Sequence, residues 1–91
     1  MKNFNRDAKI FKSLSDENRL QVLNILKNGE KCGYELLEEL KISQPTLSHH
    51  MKILCETGIV KGKRKGKLMF YTISDRGYSI ISECLEKYVK L

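Results

Sequence analysis

The sequence lacks tryptophan, contains a single proline, and has no apolar run long enough to cross a membrane. Because hydrophobic residues still make up 41% of the chain, its composition excludes the polar and proline-rich classes of disordered protein. Residues 1–6 also lack the apolar block of a secretory signal, so we expect a cytoplasmic protein without a membrane partner. A length of 91 residues favours a single domain, spanning residues 1–91.

Cysteine and histidine are too few and too scattered to predict a disulfide framework or a conventional metal site. The three cysteines, Cys32, Cys55 and Cys84, are odd in number and form no Cys-x-x-Cys pair, which favours free thiols in a reducing compartment. The two histidines are adjacent, whereas a zinc site needs several convergent ligands. The sequence contains neither a nucleophile and base at a catalytic spacing nor a glycine-rich phosphate loop, so nothing in it indicates catalysis. We therefore expect neither an enzyme nor a resident metal or cofactor.

The excess of positive charge lies in one part of the chain. The net charge is +6, and residues 41–76 hold eight lysines and arginines against two acidic residues, whereas residues 1–40 hold seven of each sign and residues 77–91 hold two of each. An even spread would indicate a solvated surface, but a basic excess confined to one segment is typical of a site for a polyanion. The middle of the chain is therefore the candidate nucleic-acid site.

The first forty residues predict three helices. Apolar residues at helical spacing predict an amphipathic helix over residues 3–13. Ser15 is predicted to cap a second helix, which has a broad apolar face and ends near Gly29. A short third helix is predicted over residues 33–40, with Tyr34 among its apolar positions.

A turn over residues 41–43 separates the third helix from a fourth, which is predicted from Gln44 to about Thr57. Pro45 suits the first turn of a helix because the N–H groups there have no helical partner. Gly58 can adopt the left-handed conformation that ends the helix. Two helices joined by so short a turn are the signature of a helix-turn-helix.

The pattern changes from helical to alternating after the fourth helix. Ile59 and Val60 favour a short strand, and the alternation over residues 68–73 predicts a second one. Between them, residues 61–67 carry five cations and two glycines suited to tight turns. This predicts a β-hairpin with a basic tip, the wing of a winged helix-turn-helix. The fold class is therefore mainly α, with four helices, a small β-hairpin and a fifth helix.

The last helix is predicted over residues 75–90, opening at Ser74 and Asp75. It carries a stripe that is too apolar to face water, formed by Tyr78, Ile81, Cys84, Leu85 and Tyr88. Together with the helix over residues 3–13, it is the expected dimer surface, since small domains bury little surface alone. The same two helices could instead close the core of a single copy, and a share of each role is expected.

The fourth helix and the wing carry side chains suited to duplex DNA. In the major groove glutamine can bond adenine, serine can contact several bases, and lysine can reach guanine or phosphate. Wing cations can lie along phosphates or enter a minor groove. Either feature alone could be a solvated surface, but the two in succession favour DNA binding. The predicted contacts are Gln44, Pro45, Thr46, Ser48, His49 and Lys52 on the helix, and Lys61, Lys63, Arg64, Lys65 and Lys67 on the wing.

Residues 14–20 (LSDENRL), 43–54 (SQPTLSHHMKIL), 58–60 (GIV) and 66–71 (GKLMFY) resemble the ArsR/SmtB family of bacterial repressors. The resemblance implies a homodimeric winged-helix repressor that leaves its operator DNA when an effector binds. Position by position, Gln44, Pro45, Ser48 and His49 match the DNA-contacting helix of the family, and Lys63, Arg64 and Lys65 match its wing. His50 also matches a common family position, but because it lies beside the apolar stripe we interpret it as structural.

The sensing side departs from the family pattern. Arsenic-responsive members carry a Cys-x-Cys pair at the start of the third helix, where this sequence has Cys32 and Tyr34. Zinc-responsive members place an aspartate and several histidines on the last helix, which here has Asp75 but no histidine. One hypothesis is thiol sensing, in which Cys32, near a helix start that favours a thiolate, pairs with a second cysteine or a thiophilic ion. Cys55 and Cys84 are the other candidates, although Cys84 could simply be a small core residue.

Two other functions stay open. A winged helix can serve as a protein-interaction module, in which case the basic stripe is incidental, or it can be a repressor without a ligand. Residues 33–36 and 75–77 are similar to PadR-type regulators, but residues 14–20 favour the ArsR/SmtB family.

Overall fold

Residues 3–89, which this computed structural model describes, form five α-helices and a three-stranded antiparallel sheet. The elements are α1 (Phe4–Leu14), α2 (Glu17–Leu26), β1 (Lys31–Cys32), α3 (Gly33–Leu40), α4 (Gln44–Glu56), β2 (Val60–Lys65), β3 (Leu68–Ile73) and α5 (Gly77–Glu86). This order confirms the predicted winged helix-turn-helix class and adds the short strand β1, which pairs with β3. None of the helices in residues 3–89 is long and apolar enough to cross a membrane.

The core lies between the helices and the base of the hairpin. Its buried apolar side chains are Ile10, Val22, Leu26, Leu36, Leu47, Met51, Leu54, Ile59, Val60 and Cys84. Burying one large aliphatic side chain stabilises a fold by roughly 1.5–3 kcal/mol. Leu47, Met51 and Leu54 are among them, and their spacing of four and three residues predicts that they share one face of the fourth helix, so that face is the buried one.

The boundary between α1 and α2 differs from the prediction by one residue. Asp16 caps α2, because its carboxylate accepts a hydrogen bond from the backbone N–H of Arg19 at 3.1 Å. The hydroxyl of Ser15 instead donates to the carbonyl of Lys12 at 2.8 Å, at the end of α1. Both residue types cap helices well, but a carboxylate also interacts with the positive end of the helix dipole.

The helix-turn-helix follows the sequence pattern closely. Lys41 ends α3 in the left-handed conformation, with φ of 55°, and the turn reaches Ser43, the N-cap of α4. Gly58 follows α4 with φ of +83°, as its predicted role at the helix end requires.

The second strand of the wing has the predicted bounds, residues 68–73, but the first is longer than predicted. Residues 61–65 belong to β2, which pairs with β3 as far as the Lys65–Leu68 position, so the tip is only the two residues Gly66 and Lys67. Gly66 has φ of +63°, as the first residue of a tight hairpin turn often does. Gly62 is not a turn residue: a Cβ there would lie 2.9 Å from Cε of Met69, so glycine permits close approach across the hairpin.

The helix α5 begins at Gly77, later than predicted. Ser74 stays outside it because its hydroxyl donates to the carbonyl of Gly58 at 2.6 Å and its N–H donates to the carbonyl of Ile59 at 2.9 Å. The described helix ends at Glu86, and residue 90, the predicted end, lies outside the described residues.

The apolar stripe of α5 is only partly buried in a single copy of the chain. Cys84 is buried and Ile81 half-buried, but Tyr78 and Leu85 are 58% and 51% exposed. In a single copy of the chain α1 covers only part of this stripe, and its role as a dimer surface stays a prediction.

Asp7 fastens α1 to the end of the chain. Its carboxylate is buried and accepts hydrogen bonds from the hydroxyl of Tyr88 at 2.6 Å and from Nζ of Lys87 at 3.1 Å. The bond from Tyr88, more than any other cause, lowers the pKa of Asp7, and the same bond raises the pKa of Tyr88 to about 12. The Phe11 and Tyr88 rings also pack in a T-shaped arrangement, with centroids 5.7 Å apart.

Candidate nucleic-acid interface

The polar face of α4 lies on the surface of the molecule. The predicted helix contacts are all exposed: Gln44, Pro45, Thr46, Ser48, His49 and Lys52. The opposite face carries buried Leu47, Met51 and Leu54, so burial of the polar face would expose the core. A helix of this length spans about 20 Å and has the diameter that a major groove admits.

The start of α4 is held by its own side chains. The hydroxyl of Ser43 accepts a hydrogen bond from the N–H of Thr46 at 3.3 Å and donates to its hydroxyl at 2.8 Å. Pro45 occupies the first turn, where a missing N–H costs nothing. Thr46 is thus the partner of the Ser43 cap, and the two hydrogen bonds hold the turn that presents Gln44.

A mostly polar groove of about 390 Å³ separates α4 from the wing. Gln44 and Ser48 line it from α4, and Arg64 and Lys67 line it from the wing. The fold thus brings predicted contacts from both elements to one surface. Neither wing cation forms an ion pair within residues 3–89.

The other wing cations lie on the opposite face of the hairpin, because successive side chains of a strand alternate between faces. Lys61 and Lys63 line a second groove there, together with Glu30 and Asp75. Lys65 already has two partners within the protein, since its Nζ lies 3.3 Å from Oε1 of Glu30 and 4.7 Å from the centre of the Phe70 ring. The predicted basic cluster is therefore divided, and it is Arg64 and Lys67 that share the surface of α4.

Tyr34 is a groove residue that the sequence pattern assigned wrongly. It was expected on the apolar side of the third helix, but its side chain is 65% exposed and lines the same groove as Gln44 and Arg64. The helical spacing could have predicted this position. Tyr34 lies two residues from the fully buried Leu36, which places it on the opposite side of α3.

The middle of α4 is tied to α2 by a buried polar contact. Nη1 of Arg19 lies 2.9 Å from Nδ1 of His50, and Nε of Arg19 donates to the carbonyl of Ser13 at 2.8 Å. His50 is buried, as its structural interpretation predicts. Burial, reinforced by the nearby guanidinium, lowers the pKa of His50, while Asp16 acts in the opposite direction.

The three cysteines have free thiols in different surroundings. Cys32 is half-buried at the N-cap of α3, where its N–H donates to the carboxylate of Glu35 at 3.0 Å. Burial raises the pKa of the Cys55 and Cys84 thiols, which disfavours their reactive thiolate forms. Within residues 3–89 no group of three or more histidine, cysteine, aspartate or glutamate side chains is placed to hold a metal ion.

Comparison with known proteins places the chain in a family. The model of the arsR family of bacterial regulatory proteins, a helix-turn-helix family, matches residues 16–61. The chain is 43% identical to an uncharacterised HTH-type transcriptional regulator of Methanocaldococcus jannaschii. The alignment spans 76 residues and covers 82% of this chain and 85% of that protein. The chain is also 40% identical over 77 residues to the arsenical resistance operon repressor of Staphylococcus xylosus, covering 85% of this chain and 74% of that one.

A solved structure shares the whole architecture. The crystal structure of an ArsR family transcriptional regulator superposes with a TM-score of 0.84 at 21% sequence identity, covering 94% of this chain and 89% of that one. At that identity the likeness shows the fold alone. These sequence relatives are transcriptional regulators rather than enzymes, and the first of them is described as HTH-type. The protein therefore belongs to the ArsR family of DNA-binding helix-turn-helix transcriptional regulators.

Proposed function

We propose that this protein is a homodimeric repressor that binds operator DNA, with α4 in the major groove and Arg64 and Lys67 on the adjacent phosphates, and that an effector releases it. The observation that carries the proposal is the groove that α4 shares with the wing. Its helix side offers Gln44 and Ser48, which can bond base edges, and its wing side offers two cations. Base contacts would supply specificity, and phosphate contacts would set the register of the helix.

Because the wing cations lie on two faces of the hairpin, the proposal predicts how steeply DNA affinity depends on salt. Each phosphate contact lowers log K by about 0.9 per tenfold increase in salt. Lys52, Arg64 and Lys67, doubled in a dimer, would make about six contacts and a slope of about −5. Lys61, Lys63 and Lys65 contribute less in this proposal because they lie on the other face of the hairpin.

The terminal helices supply the proposed dimer surface. Phe4 and Phe11 of α1 are 66% and 37% exposed, and Tyr78 and Leu85 of α5 are also largely exposed. Such apolar surface concentrated on two neighbouring helices is typical of a contact between proteins. A two-fold axis through it would allow two copies of α4 to lie about one DNA turn, roughly 34 Å, apart and read a palindromic site.

Effector release involves the cysteines in our proposal. Cys32 lies opposite Phe70 of β3 in the sheet, so its backbone is joined to the wing. The other two thiols carry raised pKa values, which leaves Cys32 as the candidate for oxidation or for a thiophilic ion. Operator affinity that is unchanged by mild oxidation and by arsenite, in both the natural chain and Cys32→Ser, would eliminate this part of the proposal.

The experiment that tests DNA binding compares Arg64→Gln with Lys63→Gln, which remove the same charge from neighbouring positions. Affinity for a duplex from upstream of the protein's own gene is measured by fluorescence anisotropy across a range of salt. Arg64→Gln should reduce the salt slope by about 2 per dimer, and Lys63→Gln should change it by less than half of that. Equal effects of the two substitutions, or no salt-dependent binding, would contradict the proposed interface.

The dimer is tested separately by sedimentation. Leu85→Glu should yield monomers, whereas Leu20→Glu, at an equally exposed position of α2, should remain dimeric. A natural chain that sediments as a monomer at micromolar concentration would refute the proposed dimer.

A further inference from the structure

A third groove, also of about 390 Å³, lies away from the wing, between α1, α2 and the C-terminal half of α4. The groove at the wing involves Gln44 and Ser48, near the start of α4, whereas this one involves Ile53, Glu56 and Thr57, near its end. We propose that it binds a small amphipathic anion, a monocarboxylate with a short apolar chain. The volume falls within the range of small-molecule sites in proteins.

The rim of this groove is cationic. Arg6, Lys9 and Lys12 of α1 line it, and the acidic group among its lining residues is Glu56. Within residues 3–89 none of the three α1 cations forms an ion pair. Three uncommitted cations against one carboxylate favour an anionic ligand over a neutral or cationic one.

The floor of the groove is apolar towards a ligand. Ile10 is buried and Ile53 half-buried. The hydroxyls of Ser13 and Thr57 are committed, since each donates to a backbone carbonyl of its own helix at 2.7 Å. A ligand with an alkyl chain would therefore cover apolar surface without displacing a hydrogen bond.

Arg19 provides a charged group at the inner wall. Its guanidinium has five N–H groups, and three of them are engaged, by Ser13, Lys12 and His50. Two remain for the carboxylate of the ligand. Because Arg19 also contacts His50, a ligand on Arg19 is joined through one side chain to the middle of α4. An effect on operator affinity would rest on the proposed function, but the binding itself does not.

This groove is separate from the proposed dimer surface. Lys9 lies about 140° and Arg6 about 200° around the helical wheel from Phe4, whereas Phe11 lies within about 20° of it. A second copy on the apolar face of α1 would therefore leave the cationic flank open.

The test uses isotope-labelled protein without DNA, followed by NMR. Butanoate, hexanoate and octanoate are the probes, with 1-octanol and octylammonium as neutral and cationic analogues. We expect amide shifts centred on Ile10, Ser13, Ile53 and Thr57, and affinity that increases by up to about fourfold per added methylene. Octanol and octylammonium should bind at least about tenfold more weakly, because they lack the charge-assisted contacts.

Arg6→Gln combined with Lys9→Gln should weaken octanoate by about tenfold, whereas Lys27→Gln, an exposed cation outside the groove, should leave it unchanged. Circular dichroism verifies that each variant is folded, and the shift map of the natural chain is independent of any variant. Shifts centred on Phe4 and Leu85, equal binding of octylammonium, or affinity without chain-length dependence would each overturn the proposal. Failure to bind operator DNA would alter none of these readouts.

Discussion

The guanidinium of Arg19 donates a hydrogen bond from Nη1 to Nδ1 of His50 over 2.9 Å, and both residues are more than nine-tenths buried. Because a guanidinium can only donate, Nδ1 must accept, and the neutral ring carries its proton on Nε2. Oδ1 of Asp16 lies 3.9 Å from the same Nδ1. The contact joins α2 to α4, so it holds the proposed recognition helix in place from behind.

This contact predicts a pH dependence of stability. The pKa of His50 is lowered in the folded protein from its ordinary value of 6.5, so the unfolded chain binds the proton first as pH falls. The contribution of the neutral ring is complete above about pH 6.5 and decreases as pH falls from there towards the lowered pKa. Urea unfolding at pH 7.5 and 5.5 measures the loss.

His50→Gln should remove most of that loss, and His49→Gln, at the exposed neighbouring position, should retain it. A pH dependence in His50→Gln as steep as in the natural chain would show that another group is responsible.

The contact of the Asp7 carboxylate with Lys87 and Tyr88 predicts that the protein loses stability in acid. Its pKa is lowered below 3.8, chiefly by the hydrogen bond from Tyr88, so its contribution is present above that pH and is lost as pH falls through the lowered pKa. Asp7→Asn should therefore lower the melting temperature at pH 7 and have a smaller effect near pH 2, where part of the contribution has been lost. Tyr88→Phe serves as the partner variant, since it keeps the ring beside Phe11 and removes the donor. An equal decrease for Asp7→Asn at both pH values would contradict the assignment.

The packing around Gly77 leaves no room for a side chain at the start of α5. A Cβ there would collide with the carbonyl oxygen of Ile59 and lie 2.6 Å from Cγ2 of Ile73. Gly77→Ala should therefore destabilise the protein by about 1–3 kcal/mol, as measured by urea unfolding. Gly33→Ala is the matched control, because a Cβ at Gly33 meets nothing within 4 Å. It should be neutral or stabilising by up to about 1 kcal/mol, and equal destabilisation by both substitutions would be inconsistent with the packing.

The exposed hydroxyl of Tyr34 is expected to contribute an uncharged hydrogen bond to DNA binding. If its hydroxyl donates to a phosphate, Tyr34→Phe should weaken operator binding by about two- to tenfold. The salt slope should stay the same, because no charge is removed. Tyr78→Phe, an exposed tyrosine on α5, should leave affinity unchanged. Anisotropy titrations at two salt concentrations separate the two effects, and a Tyr34→Phe variant with natural affinity would remove Tyr34 from the interface.

Most of the fold was predictable because its signals are local. Ser43, Pro45 and Gly58 mark the two ends of α4 through caps and backbone conformations that depend on neighbouring residues alone. The helical spacing of Leu47, Met51 and Leu54 then determines which face of α4 is buried. Errors of one to a few residues occurred where two neighbours compete for one role, as Ser15 and Asp16 do at the start of α2.

The sequence by itself determined that a polar-faced helix is followed by a cationic hairpin. Tertiary structure alone decided which cations share a surface with that helix, because the face of Arg64 depends on strand register and on the position of the turn at Gly66. It alone also joined Asp7 to Lys87, 80 residues away, and Arg19 to His50, 31 residues away. Contacts between distant residues arise from packing of whole elements, which local spacing does not encode.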